Sequence, residues 1–553
     1  MSAGGDFLSS ILRRLGEAGD ATVVQEIRGG EIVKVSGAEL MRMISTAVGF
    51  IESRGMRLRD GDRCALVGPN SIRWIAVDLA LMIKGIVVVP LYARQAPAEL
   101  AAMVRDSGAS AIFCDGAELG SSLLEELQEA PTTTLFDEIF GSKPATSISV
   151  SHSPSRPVTI IYTSGTSGEA KGVVLNEANV DFMLGCTTVR LNQLMGAQKA
   201  PEQVFHYLPF NFAASWISLL TYLSRNSVVS LSTDLTKLAD EMKVAAPNYF
   251  LNVPTLLERV RTKIEEKVRM QSGFIATVFA KAKRAALSDD PARAGFSDRA
   301  ALALARKLIF PTIRKGLGKN LKALICGSAP LAVDTQKFFM MLGIPVLQAY
   351  GLTETTAICT LDDPSSVEPG YVGPAVPGIE MKLGENQEIL VRGPNLFSGY
   401  WNRHDETAKA LRDGWFHTGD QGEVNARGNW RITGRIKNLI ILNSGHNIAP
   451  EPLEEELASR IAGAQVMLAG NGRSYLVVLV AANSGVTDAR VAATLEKVNE
   501  RLPHYRQIRA FHRIAEPFTI ESGMLTANGK LRRDVIVARF QSEIEQLYRK
   551  REA

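Results

Sequence analysis

The feature that most constrains this chain is the alternation of strand and helix patterns across residues 64–116. CALVG (64–68) is a short apolar run closed by Gly-Pro-Asn, and residues 72–84 follow with helical spacing. GIVVVPLY (85–92) is a β-branched run, 97–107 is helical again, and SAIFCDG (110–116) is another strand. Strands separated by helices must return by crossovers, so they form a parallel sheet covered by helices. The Ser- and Pro-rich stretch 142–157 reads as a surface loop. It delivers VTIIYTS (158–164), a strand running into a Gly-rich loop. LKALICGSAPL (321–331) and IPVLQAYGLTET (344–355) are strands followed by tight turns, whereas 378–434 shows the short strands and Gly/Asn turns of an antiparallel sheet. After TGRIKN (433–438) the pattern becomes a compact α+β unit. The expected fold is therefore multidomain, α/β and α+β. A large N-terminal domain (1–434) would hold helix-covered, parallel-rich sheets, a helical insertion near 255–320 and a small β-rich part near 360–434. A small, mobile α+β domain (435–553) would follow.

Composition removes several function classes. With 553 residues, 46% hydrophobic and 22% charged, the chain can build more than one core. Lys plus Arg is 62 against 58 Asp plus Glu, too even a balance for a nucleic-acid partner. Five cysteines, at 64, 114, 186, 326 and 359, form no CxxC pair, which fits a reducing, cytoplasmic setting rather than a disulfide or zinc scaffold. The start shows no signal peptide, and the apolar stretch 74–93 carries Asp78, Lys84 and Pro90, so any membrane contact would be peripheral. Residues 259–319 hold 15 Lys/Arg against 5 Asp/Glu. That is either a solvated helical face or a basic surface resting on anionic membrane or a polyanionic substrate.

Residues 162–173 read YTSGTSGEAKGV. Glycines let backbone N–H groups turn inward, hydroxyls add donors, and a lysine adds a point charge, which suits a polyphosphate. It is not a Walker A loop: Ala170 stands where glycine is required, and no Ser/Thr follows Lys171. YGLTET (350–355) places Glu354 beside threonine hydroxyls, hard oxygens of the kind Mg2+ prefers. GWFHTGD (414–420) ends in Asp420, an acceptor for both ribose hydroxyls. GRIKN (434–438) offers Arg435, and TANGKLRRD (526–534) presents Lys530 after an Asn-Gly turn.

In this combination and order, the motifs resemble the adenylate-forming superfamily: acyl-CoA synthetases, nonribosomal-peptide adenylation domains and firefly-type luciferases. The resemblance spans about residues 25–540 and is most similar to the long-chain fatty acyl-CoA synthetases. It implies that Thr163, Ser164, Gly165, Thr166, Ser167, Gly168 and Lys171 cradle the β- and γ-phosphates of ATP. Gly327, Ser328 and Ala329 would line the adenine pocket, Tyr350 would lie against the ring, and Gly351 and Thr353 would complete the nucleotide-binding turn. Thr163 and Glu354 would hold Mg2+, Asp420 and Arg435 the ribose, and Lys530 the α-phosphate and the substrate carboxylate. Lys530, Glu354 and Thr163 are thus the implied catalytic residues. Lys437 matches the hinge of the C-terminal domain, and SGHNIAP (444–450), with Ser444 and Gly445, resembles the segment that lines the CoA tunnel. Phe212 and Trp216 fall on the acyl side, Trp216 at the position of an aromatic gate; many relatives carry His where this chain has Phe212. The implied activity is ATP-dependent formation of acyl-AMP and transfer to CoA. Transfer to an acyl carrier protein is the alternative, and a catalytically silent fatty-acid binder the second.

Overall fold

The computed structural model describes residues 6–552 apart from 29–30, 54–57, 130, 165–169, 198–199, 233, 235, 289–294, 462, 483–484 and 527–528. Its largest sheet has seven strands, in the order Gly399–Tyr400, Ala170–Asn176, Pro157–Ser164, Val87–Tyr92, Arg63–Gly68, Ala111–Cys114 and Thr132–Leu135. The last five run parallel, and the first two are antiparallel additions at one edge. The central strands Arg63–Gly68, Val87–Tyr92 and Ala111–Cys114 are apolar at nearly every position because both faces are covered. Cys64 and Leu66 face one core while Ala65 and Val67 face another. Helix Ile72–Ile83 is buried on nearly all sides between sheet and neighbouring helices, which is why it reads as a long hydrophobic run yet spans no membrane. No helix among the described residues is long and apolar enough to cross a membrane.

Two four-stranded sheets lie beside it in the large domain. One places Leu251–Asn252, Leu324–Cys326 and Val346–Tyr350 in parallel with Thr360–Leu361 antiparallel at the edge; the other joins Glu31–Ser36, Thr22–Arg28, Ser227–Ser232 and Glu202–His206. The basic stretch is a run of four helices, Pro254–Arg269, Gly273–Leu287, Phe296–Leu308 and Phe310–Leu317. The β-rich part is a five-stranded antiparallel sheet, in which Trp415–Val424 pairs with Trp430–Arg435.

A smaller C-terminal domain carries cores of its own. Its strand Leu476–Ala481 is buried throughout, and its side chains alternate between two of them. Leu476, Val478 and Val480 pack under helices Glu451–Arg460 and Asp488–Asn499, whereas Val477, Leu479 and Ala481 pack with Phe518, Ile536 and Tyr548.

Trp216, expected at the position of an acyl gate, lies in the main core of this structure. It is 1% exposed inside helix Ala213–Ser224, and its indole N–H donates to Asp78 Oδ2 at 2.9 Å. A tryptophan with its ring in the main core and its only donor satisfied is a packing residue in this conformation.

Candidate active site

A cleft of about 3440 Å3 runs between the two domains, and strand ends deliver its polar groups. Tyr350 closes strand Val346–Tyr350. Gly351 must follow because a Cβ there would lie 2.3 Å from the carbonyl oxygen of Ala357 and 2.5 Å from Ile358 Cα. This tight passage sets up the short 3-10 turn Thr353–Thr355, which carries Glu354. Gly327, Ser328 and Ala329 leave the neighbouring strand end. Ser328 adopts φ +72°, a left-handed conformation a non-glycine residue seldom takes, and lines the cleft with Ala329, Tyr350 and Gly351.

Asp420 and Arg435 face each other as register partners on adjacent antiparallel strands. Asp420 Oδ1 accepts from Arg435 Nε at 2.6 Å and Oδ2 from Tyr350 Oη at 2.8 Å, while the Asp420 amide donates to Thr418 Oγ1 at 3.0 Å. The carboxylate is nearly buried and held on both oxygens, so its direction is fixed before any ligand arrives. Burial, then the Asp420 charge, pushes the Tyr350 hydroxyl well above its ordinary range, so it stays a donor.

Glu354 Oε1 accepts from Tyr400 Oη at 2.8 Å. The Lys171 ammonium sits 5.4 Å from the Tyr400 ring centroid and pairs with Glu406. Thr163 is the register partner of Lys171, on the strand pair that leads into the Gly-rich loop. Ser164 ends that strand; Gly165, Thr166, Ser167 and Gly168 lie outside the described residues. Among the described residues the Glu354 carboxylate is hydrogen-bonded through Oε1 only. Its second oxygen and the Thr163 hydroxyl are a hard-oxygen pair of the type that fits Mg2+.

Two lysines complete the charge constellation. Lys437, in the turn Ile436–Asn438 just after the last β-rich strand, is pushed down to about 8, first by desolvation and then by Arg435, with Lys171 adding and Asp420 and Glu354 opposing. Lys530 keeps open surface toward the cleft, yet the protein around its ammonium also lowers its pKa. Desolvation leads, Arg435 adds, and Asp420 and Glu354 oppose. The same acids and the same arginine act on both lysines, so groups from two domains share one electrostatic site.

Other expected residues lie elsewhere. Ser444 and Gly445 sit at the exposed turn of hairpin Ile440–Ile441 and Asn447–Ile448, where Gly445 takes φ +81°. Ser444 Oγ lies 2.9 Å from His446 Nδ1, and His446 stacks on Tyr505 at 4.2 Å. Phe212 caps helix Ala213–Ser224 with its ring 6.5 Å from Tyr92, and neither it nor Trp216 lines the cleft. Sequence reasoning missed Tyr400 and Glu406, the partners of Glu354 and Lys171. GYWN (399–402) offers only a tyrosine after a glycine, with no local sign of either contact.

Residues 13–401 match the AMP-binding enzyme family, and residues 437–552 match the AMP-binding enzyme C-terminal domain. The chain belongs to the AMP-binding enzyme family. This AMP-binding enzyme is 27% identical to the long-chain-fatty-acid–CoA ligase FadD15 of Mycobacterium bovis, over 96% of its own length and 95% of the relative's. It is 29% identical to the peroxisomal long chain acyl-CoA synthetase 7 of Arabidopsis thaliana, over 89% and 78%. Among solved structures, the adenylation domain of a carboxylate reductase from Mycobacterium chelonae superposes with a TM-score of 0.78 at 20% identity, covering 99% of this chain and 92% of that one. O-succinylbenzoate coenzyme A synthetase from Bacillus subtilis, in complex with ATP and magnesium ion, superposes with a TM-score of 0.73 at 19% identity, covering 95% and 98%. Adenylate-forming enzymes use ATP and Mg2+, with CoA as co-substrate of the ligases.

Proposed function

We propose that this enzyme is an acid–thiol ligase that activates a long-chain fatty acid as acyl-AMP and passes the acyl group to CoA. The observation that carries this reading is the convergence of Asp420, Arg435, Lys437 and Lys530, from both domains, on one cleft, with Glu354 near enough to act electrostatically on both lysines. We place the domain boundary at 434/435, before the last residue of the last β-rich strand and just ahead of the turn that bears Lys437.

A free carboxylate is a poor acyl donor because its leaving group would be oxide. Attack of a carboxylate oxygen on the α-phosphorus of ATP forms the acyl–phosphate bond and breaks the bond to pyrophosphate, so AMP becomes the leaving group. Two anions must meet, and fixed cations and donors offset their repulsion. Asp420, held by Tyr350 and Arg435, would accept both ribose hydroxyls and orient the nucleotide. Thr163, Lys171 and the loop after Ser164 would hold the β- and γ-phosphates. Lys530 would bridge the α-phosphate and the substrate carboxylate. Bound at Glu354 and Thr163, Mg2+ would neutralise phosphate charge. The CoA thiol then attacks the acyl carbon and releases AMP. Rotation about Lys437 would bring the Ser444–Gly445 turn to the cleft for that step, since it stands outside the cleft here.

The names of the relatives support a long-chain acid and CoA. The superposition on an adenylation–carrier didomain of a carboxylic acid reductase, with a TM-score of 0.77, favours a second reading in which a carrier protein's phosphopantetheine is the acceptor. A pyrophosphate-release screen over acids of graded length tests the acid. Following the thioester product with CoA or with a phosphopantetheinylated carrier tests the acceptor. No acid-dependent pyrophosphate release would refute the adenylation reading; release without acyl-CoA formation would refute the CoA one.

A further inference from the structure

The most exposed large apolar side chains of the described residues all belong to the four-helix basic segment: Met270 at 86%, Phe296 at 82%, Phe274 at 66% and Leu308 at 63%. Three of them share one end of the segment. Met270 caps helix Pro254–Arg269, and Phe274 lies in the first turn of helix Gly273–Leu287. An ion pair between Arg284 and Asp298, at 3.2 Å, ties the far end of that helix to the start of helix Phe296–Leu308. The two helices therefore run antiparallel, which brings Leu308 to the same end as Phe274. Phe296 marks the opposite end.

Cations surround this tip. Lys267, Arg269, Arg306 and Lys307 are exposed beside Met270, Phe274 and Leu308. Residues 299–322 contain seven Lys/Arg and no carboxylate. Of the described acids of the segment, Glu265 pairs with Arg261 and Lys283, Asp298 with Arg284, and Glu258 accepts from Thr335, which leaves Glu266, exposed beside Lys267 and lining the cleft, as the one carboxylate near four cations. None of the four tip cations forms an ion pair among the described residues. Apolar side chains standing in water beside unneutralised cations match the two layers of an anionic bilayer, hydrocarbon below and phosphate above. A nucleic acid would answer the cations but leave Met270 and Leu308 in water.

We infer that the tip formed by Met270, Phe274 and Leu308, ringed by Lys267, Arg269, Arg306 and Lys307, is a docking surface for an anionic lipid bilayer. It is independent of which acid or acceptor the enzyme uses. The test is sedimentation of the full chain with vesicles of phosphatidylcholine alone and of phosphatidylcholine mixed with phosphatidylglycerol. The wild type pellets with the anionic vesicles and is released by salt. Phe274→Ser/Leu308→Ser and Arg306→Gln/Lys307→Gln each weaken that binding by about tenfold, with unchanged melting temperature and ATP binding. Equal pelleting with both vesicle types, no pelleting with either, or wild-type binding by the serine variant overturns the inference. So does concentration-dependent self-association that the serine variant abolishes in the absence of vesicle binding, which would assign the patch to a second copy of the chain.

Discussion

At the scale of single residues, Lys530 and Tyr350 make different predictions. Lys530→Ala should slow acyl-AMP formation by roughly 100- to 1000-fold, the usual cost of one preorganised electrostatic partner, while thiolysis of supplied acyl-AMP survives. Single-turnover assays of each half-reaction read this, and equal loss in both would show that Lys530 serves folding rather than chemistry. Tyr350→Phe removes one donor from a nearly buried carboxylate and should weaken ATP binding by about 1.5–3 kcal/mol, with a smaller effect on the rate at saturation. Trp216 shows what sequence leaves open. A tryptophan close to a motif looks the same whether it gates a tunnel or fills a core, and its partner Asp78 is 138 residues away. Burial pushes Asp78 up to about 7 against the Trp216 hydrogen bond, and its Oδ1 has no partner. A raised carboxyl binds a proton in the folded state that the unfolded chain has already lost. Stability should therefore fall as pH rises from the ordinary carboxylate range through about 7. Asp78→Asn should flatten that fall, so the melting temperature of the variant relative to wild type should improve between pH 5.5 and pH 8.5. An unchanged difference would count against it.

At the scale of elements, the central parallel strands were legible because burial on both faces leaves an apolar run, whereas the edge strand Thr132–Leu135, three threonines and a leucine, has no such run and was not; the motifs were legible because each is local. What holds Lys530 in place was not. Its loop is closed by hydrogen bonds from the Thr526 amide to the Lys530 carbonyl at 2.8 Å and from the Lys530 amide to Thr526 Oγ1 at 3.1 Å. Beyond it, Arg533 makes a two-pronged pair with Glu454 on helix Glu451–Arg460, and Glu454 also accepts from the Leu468 amide at 2.6 Å. In sequence, Arg533 is one more cation in a basic tail. In the fold it neutralises a carboxylate that is 7% exposed. Arg533→Ala should destabilise the small domain by about 3–5 kcal/mol, because it strands a buried charge. Adding Glu454→Gln should restore much of that, since Gln still accepts from Leu468. If the pair also positions Lys530, the double variant should melt near wild type yet remain slow in acyl-AMP formation and normal in thiolysis. Recovery of both half-reactions together with stability would reduce the pair to a structural role.

At the scale of the whole molecule, the cleft holds an opposition that bears on closure. Glu258, on helix Pro254–Arg269 of the large domain, and Glu455, on helix Glu451–Arg460 of the small one, both line it. Glu258 accepts from Thr335 Oγ1 at 2.6 Å and is influenced by Arg261, Glu265 and Asp334, whereas Glu455 Oε1 is buried without a partner. Desolvation first, and the Glu258 charge second, push Glu455 up to about 8. If the domains part, Glu455 regains water and its pKa returns toward the ordinary glutamate range. The closed arrangement therefore binds a proton that an open one releases, and raising the pH from that range through about 8 should progressively disfavour closure. In the proposed mechanism acyl-AMP formation would need Lys530 beside Asp420 and Glu354, so it should decline with pH more steeply than thiolysis does. Glu455→Gln removes the titration. At pH 8.5 it should speed acyl-AMP formation by at least roughly tenfold, the equivalent of about one pKa unit of relieved opposition, and the gain should shrink as the pH falls toward the ordinary glutamate range, where the carboxyl carries a proton in both arrangements. The two pH profiles of the first half-reaction, wild type against variant, decide the matter. Parallel profiles would show that the domains meet without regard to this pair.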